Sequence, residues 1–164
     1  IDDNVYRNAE KIRIIHSPTH RIVKGTPDIL AAIEVVKKVK EIEFILIENT
    51  PREEVLKIKQ TCHIAIDQIG NRGGTGYGIN SLETLSMGLP TITDMNCGMD
   101  TWLPENPFIV ADKNNLAEKI IELIDNEELR RSKRELSRKW VDKYHSYSSV
   151  FAKLTEYYQK AGIL

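Results

Sequence analysis

Residues 68–90 read QIGNRGGTGYGINSLETLSMGLP. The residues leading into this stretch, 63–68 (HIAIDQ), form an apolar, β-branched run that predicts a strand. Gly70, Gly73, Gly74, Gly76 and Gly78 follow, and they let the backbone adopt positive φ and approach a ligand closely. A helix is predicted from about Ile79 to Met87, stopped by Gly88 with Pro90 behind it. The helix begins directly after Gly78, so free N–H groups around Gly78, Ile79 and Asn80 and the positive end of the helix dipole would face an anion such as phosphate. Glu83 lies one turn further on, near enough to the same rim to accept hydrogen bonds from sugar hydroxyls. Taken alone, the segment reads more plainly as a flexible glycine loop with a solvated glutamate.

The pattern outside this unit repeats it. Residues 11–17 (KIRIIHS) predict a strand built on Ile12, Ile14 and Ile15 and ended by Pro18. Thr26-Pro27 predicts a helix start, with Thr26 as N-cap and Pro27 at the first helical position, and Ile29, Ile33 and Val36 carry that helix to about Val39. Residues 43–48 (EFILIE) predict a buried strand. Thr50 and Glu53 then spell a capping box for a helix continued by Val55, Ile58 and Cys62. Residues 91–93 predict a fourth strand, followed by an irregular stretch to Pro107, and residues 108–111 a fifth. Leu116, Ile120, Leu123 and Ile124 mark an amphipathic helix. Two further helical patterns close the chain, one on Leu129, Leu136, Trp140 and Tyr144, the other on Val150, Leu154, Tyr157 and Ala161.

Strands alternating with helices predict right-handed βαβ units. The fold class is therefore α/β, a three-layer Rossmann-like parallel sheet with helices on both faces. Ligands of such sheets bind in the crevice at the carboxyl ends of the strands. That directs attention to the loops at residues 16–25, 47–50, 68–79 and 94–107.

Composition sets the outer limits. The chain has 164 residues, the length of one ordinary domain. Its 23 Lys plus Arg against 24 Asp plus Glu give a net charge of −1, which offers nucleic acid no whole-domain attraction. No apolar run reaches the ~18 residues of a membrane span. Cys62 and Cys97 alone build neither a disulfide framework nor a zinc site, which fits a reducing cytoplasm. The chain opens on Ile1 rather than Met, and residues 1–10 are expected to be a linker from a missing N-terminal domain. A fragment of this kind, holding half of an active site, is expected to be inactive alone.

The loop at residues 16–25 (HSPTHRIVKG) follows the first strand. Lys24 stands just before the predicted helix, where its cation would add to a phosphate site, and Arg21 could add a bidentate fork. His16 ends a strand and so sits at the mouth of the crevice. Each of these residues alone reads as a surface charge or a packed histidine. Together with the glycine loop on a neighbouring strand end, they point to a diphosphate gripped from two sides. Other features read plainly. Arg130, Arg131, Lys133, Arg134, Arg138 and Lys139 alternate with glutamates, as on a solvated helix face. His63 and His145 read as surface or packed histidines, and Cys62 as half-buried on a helix end. Tyr144, Tyr147, Tyr157 and Tyr158 read as packing of the last helices.

The pairing of HSPTHRIVKGT with YGINSLETLSMGLPTIT resembles the C-terminal half of a GT-B glycosyltransferase, and is most similar to the retaining family four (group 1). The resemblance spans roughly residues 14–124. In it, Tyr77-Gly78-Ile79 stands for the family's aromatic-Gly-hydrophobic element, and residues 83–90 (ETLSMGLP) for its Glu-Ala-Met-Ala-x-Gly-x-Pro element. The resemblance implies that residues 11–145 bind a nucleotide-sugar donor such as a UDP- or GDP-sugar, as substrate and with no cofactor. Residues 146–164 would form a C-terminal helix packing back toward the missing domain. Lys24 and the amides of Ile79 and Asn80 would hold the diphosphate, and Glu83 the ribose hydroxyls. A hexosyl group would pass, with retention, to a glycan or lipid-linked acceptor held mainly by the missing domain. The setting implied is cytoplasmic, with peripheral contact at a membrane, and polysaccharide biosynthesis. Two positions depart from the family: Thr75 stands where a Glu is usual, and Thr19 where an Arg is common. Either the sugar is then held differently, by Asp67, Gln68 or Thr75, or the subfamily uses another donor. The sequence has no Asp-x-Asp, the usual metal–diphosphate ligand of the other glycosyltransferase fold, so metal-independent transfer is expected.

Two other readings compete. Gly76-x-Gly78-x-x-Ser81, with Asp94 ending the next strand, mimics a dinucleotide-binding fingerprint and its ribose-binding acid. However, Ser81 replaces the third glycine, and the loop is too long for the tight turn. A non-catalytic receiver-like or partner-binding α/β module would need acidic residues after the first strand, where His16-Ser17 stands instead. Asp67 alone is compatible with it.

Overall fold

A computed structural model describes residues 11–70, 76–95, 98–103 and 105–164. The expected linker at residues 1–10, Thr75 and Cys97 lie outside the described residues. Five strands, β1 (Ile12–His16), β2 (Ile42–Leu46), β3 (Ile64–Ile66), β4 (Thr91–Thr93) and β5 (Ile109–Val110), pair in parallel throughout, in the order β2-β1-β3-β4-β5. Chain direction reverses its march across the sheet between β1 and β3. This is the topological switch point, where a crevice opens at the strands' carboxyl ends. The register is fixed by alternation: Ile14 sits opposite Phe44 and Ile64, and His16 opposite Leu46 and Ile66.

The side-chain period of two sorts the strand residues onto two faces. Ile14, Ile64, Ile66, Ile92 and Ile109 pack on one face with helices α1 (Thr26–Lys37) and α5 (Leu116–Asp125). Ile15 and Ala65 pack on the other face with Cys62, Leu89 and the half-buried Val55 and Ile58 of α2 (Arg52–Lys59). Helix α3 (Ile79–Ser86) also lies on this second side, where the buried Thr84 hydroxyl bonds that of Thr91 at 2.8 Å. A third cluster joins Leu85 of α3, Met95, Phe108 and Trp140 of α6 (Glu127–His145). The predicted three-layer α/β sheet is the observed fold.

Helix ends depart from the sequence reading in instructive ways. The N-cap of α1 is Gly25, at φ 68°, and Thr26 is already helical. The Thr26 hydroxyl is drawn away from capping into a buried bond with the His16 ring at 2.9 Å. The capping box at α2 does not form: Pro51 is the N-cap, and Thr50 Oγ1 donates instead to the carbonyl of Glu48 at 3.0 Å. α2 also ends before Cys62, which is fully buried rather than half-buried. At the end of α3 the expectation holds. Gly88 N–H bonds the Leu85 carbonyl and Leu89 N–H that of Thr84, closing a Schellman motif on a glycine at φ 75°.

The stretch read as irregular contains a short helix, α4 (Met99–Trp102), too brief to show periodicity. The basic run on α6 is not wholly a solvated face, because Arg130 and Arg134 are buried. Arg130 Nη1 donates to the carbonyls of Leu123 and Ile124 at the end of α5, and Arg138 to that of Met87 after α3. One helix thus supplies cations to the negative ends of two others. The last helix, α7 (Tyr147–Lys160), buries none of its residues, so Tyr147, Tyr157 and Tyr158 are exposed rather than packed.

Gly25 is held by its surroundings as well as by its backbone. A Cβ there would lie 1.8 Å from the carbonyl oxygen of Ile69, which follows β3. Besides the steric overlap, an alanine would be forced into left-handed backbone. Gly25→Ala is expected to destabilise the chain by at least about 2 kcal/mol, measured as a shift in urea midpoint at unchanged slope.

Candidate functional site at the switch point

The loops after β1 and β3 are clasped together beneath the crevice. Ile69 N–H donates to the Lys24 carbonyl at 3.2 Å, and the Lys24 ammonium reaches Asp67 Oδ1 at 2.8 Å and Gln68 Oε1 at 3.1 Å. Asp67 is buried and also accepts from Asn80 Nδ2, at 2.9 Å, and from the Ser81 hydroxyl. Burial would push the Asp67 carboxyl up. The Lys24 charge and the bonds from Lys24, Ser81 and Asn80 outweigh that and hold it below its ordinary range. The first turn of α3 is thereby docked on the end of β3, with Gly78 as an extended N-cap and no side chain capping its amides.

Above this lies a crevice of about 580 Å³, a volume suited to a small organic ligand. Its walls are Ser17, Pro18 and Thr19 after β1, residues 47–50 after β2, Arg52, Val55 and Lys59 of α2, and Ile79, Asn80 and Glu83 of α3. Asn49 takes positive φ in this lining, at 52°. Glu83 is gripped through both oxygens, by Arg52 Nε at 2.8 Å and Lys59 Nζ at 2.6 Å. Its burial favours the neutral acid, but those two cations prevail and its carboxyl stays below the ordinary value.

Among the residues expected from sequence, Ile79, Asn80 and Glu83 line the crevice, and Ile79 is 74% exposed. Lys24 is set back, its ammonium only partly exposed and committed to Asp67 and Gln68. Arg21 is not part of the crevice lining; it forms a fork onto Glu48, whose carboxyl it holds low. Gln68 is buried, donating to Asp94 at 3.2 Å. Asp94 is thus not presented to a ribose, as the dinucleotide reading would need. Gly78 stands at the helix mouth, and a Cβ built there meets nothing within 4 Å.

Two expected residues lie elsewhere. Tyr77 packs against Phe108 and Trp140 at ring distances of 5.2 and 5.7 Å, because its aromatic surface gains more from that cluster than from the wet crevice. His16 is fully buried between Ile66 and Thr26. Its Nδ1–H donates to the Ile66 carbonyl, so Nε2 accepts the Thr26 hydroxyl, and the ring joins β3 to α1 rather than touching the crevice. Sequence reasoning missed Lys59, since a lysine closing an amphipathic helix normally lies in solvent.

Comparison with known proteins gives a consistent result for the fold. No family profile matches the chain, and no curated protein matches it. Solved structures do. One is WaaG, a glycosyltransferase involved in lipopolysaccharide biosynthesis, at TM-score 0.65 and 16% identity, over 88% of this chain and 46% of that one. The fold is a GT-B half. A second, assigned as a UDP-N-acetylglucosamine 2-epimerase from Listeria monocytogenes, aligns at TM-score 0.55 and 12% identity, over 88% of this chain and 47% of that one. The chain therefore spans about half the length of either structure.

Burial pushes the His16 imidazole below its ordinary value of 6.5. Between the folded and unfolded values the unfolded chain binds more protons, so stability is fully present above pH 6.5 and declines as pH falls below it. His145, lowered by partial burial, acts in the same direction. Melting temperature is expected to drop between pH 7.5 and 5.5. His16→Asn is expected to flatten that slope, by at most about 1.4 kcal/mol per pH unit, when followed by thermal denaturation across the range.

Proposed function

We propose that this chain is the donor-binding half of a glycosyltransferase, holding a nucleoside diphosphate-sugar in the crevice at the switch point. The observation that carries this is the mouth of α3. An uncapped helix N-terminus begins at a glycine whose missing side chain the protein itself does not require, with a carboxylate one turn along and a lysine behind. The WaaG likeness and the UDP-sugar in the second neighbour's name support the same ligand class.

In this reading the amides of Ile79 and Asn80 receive the diphosphate. Lys24, two of whose three N–H groups bind Asp67 and Gln68, gives the third to it. Glu83 accepts from the ribose hydroxyls, and the base lies toward residues 47–50. Cleavage of the sugar–phosphate bond leaves negative charge on the diphosphate and an oxocarbenium-like sugar. Donors already fixed around the leaving oxygens stabilise that charge as it grows. Lys24 and the helix end supply it, so the transfer is proposed to need no metal. Retention, a hexosyl group and a glycan or lipid-linked acceptor, met by a further domain, complete the proposal. It places the enzyme in the cytoplasm with peripheral membrane contact.

Titration calorimetry with UDP, GDP, dTDP and NAD tests it. One nucleoside diphosphate is expected to bind, and Glu83→Ala to weaken it about tenfold to a hundredfold, as loss of a charge-assisted bond does. Lys24→Ala is expected to weaken it as well, while also stripping Asp67 of its cation. Gly78→Ala separates binding from folding. Its φ of −137° suits alanine and the added carbon meets open space, so stability should change by no more than about 1 kcal/mol while affinity falls. Binding of NAD alone, or of none of the four, would overturn the proposal.

A further inference from the structure

Lys59 is among the largest fully buried side chains of the described residues, with its side chain 2% exposed. An ammonium withdrawn from water costs several kcal/mol unless it is compensated, and an apolar residue of similar size would fill the same space without that cost. Its partners show what the charge is for. Lys59 Nζ donates to Asn80 Oδ1 at 2.7 Å and to Glu83 Oε2 at 2.6 Å. Both partners belong to α3, and both line the crevice. Arg52 holds the other Glu83 oxygen, but from a position 72% exposed, where solvent competes.

The same ammonium fixes the polarity of Asn80. With its oxygen turned to Lys59 and to the Ser17 hydroxyl at 2.9 Å, its amide nitrogen must face Asp67. Lys24, Asp67, Asn80, Lys59 and Glu83 then form one unbroken chain of bonds across the switch point.

We propose that Lys59 is a positioning residue for ligand selectivity, holding the Glu83 carboxylate ionised and fixed so that its remaining lone pairs meet two adjacent hydroxyls on a sugar. This rests on the reading of the crevice as a nucleotide site. An ionised carboxylate is acceptor-only, so the arrangement favours a vicinal diol over a sugar lacking those hydroxyls. The diphosphate, met at the mouth of α3 by backbone amides, makes no contact with Glu83 in this reading.

The test compares affinities for UDP and GDP, their 2′,3′-dideoxy counterparts, and inorganic pyrophosphate in the wild-type chain and in Lys59→Met. The wild type is expected to prefer a ribonucleotide to its dideoxy form by tenfold or more. In Lys59→Met that preference should fall below about threefold, with pyrophosphate affinity unchanged. A general loosening of the crevice would weaken all ligands together, which would overturn the inference, as would an unchanged preference. If the wild type itself binds neither nucleotide, the nucleotide reading fails and the inference with it. A wild type that binds but shows no preference overturns the inference alone. Should Lys59→Met not fold, Lys59→Leu, which likewise removes the donor, gives the same comparison. If neither variant folds, Lys59 serves folding and the inference is overturned.

Discussion

The buried carboxylate of Asp67 organises the working end of this domain. An unpaired charge at that depth would cost several kcal/mol, so three donors converge on it: Lys24 from the loop after β1, and Asn80 and Ser81 from the first turn of α3. Drawing Lys24 inward lays the first loop over the end of β3, and only a glycine at position 25 can pass so near the Ile69 carbonyl. Drawing Asn80 and Ser81 inward seats the helix with its amide end toward the crevice. Scaffold and candidate site are therefore held by the same bonds.

This arrangement determines how an anion would be received. Lys24, Lys59, Arg52 and Arg21 stand near the crevice, but each is bonded to Asp67, Glu83 or Glu48. Under the proposed function, attraction for a diphosphate comes less from loose cations than from oriented amides, with Lys24 set behind them. Such groups lose little freedom on binding, since the network has already ordered them. The surrounding ion pairs keep Glu83 and Asp67 ionised, and an ionised carboxylate can only accept hydrogen bonds.

The sheet and its flanking helices were legible because their signal is periodic burial, repeated over many residues. Ile14 and Ile15, adjacent and on opposite faces, carry it in two letters. Helix ends were less legible, because a capping hydroxyl is free to choose another partner. Thr26 chose the His16 ring and Thr50 the Glu48 carbonyl, and no local pattern announces either bond. Of the site, the glycine before α3 and Glu83 were readable from spacing. The burial of His16, Lys59, Arg130 and Arg134 was not, because it depends on partners distant in the chain, some of them backbone carbonyls. Tyr77 lies outside the crevice for the converse reason. It stands two residues before Ile79, which lines the crevice, while its own ring finds Phe108 and Trp140.

Residues that resemble a ligand-binding motif divide once their structural duties are subtracted. Gly25, Gly88, Asn80 and Ser81 are demanded by the fold itself, through a near contact, a left-handed helix end or the Asp67 network. Their presence would follow even in a domain that bound nothing. Gly78 has no such duty: its backbone is ordinary and the space beside it is open. Ile79, beside it, leaves its apolar side chain exposed on the crevice wall. The proposed function therefore rests most directly on Gly78, the position at the mouth of the helix that folding leaves unexplained.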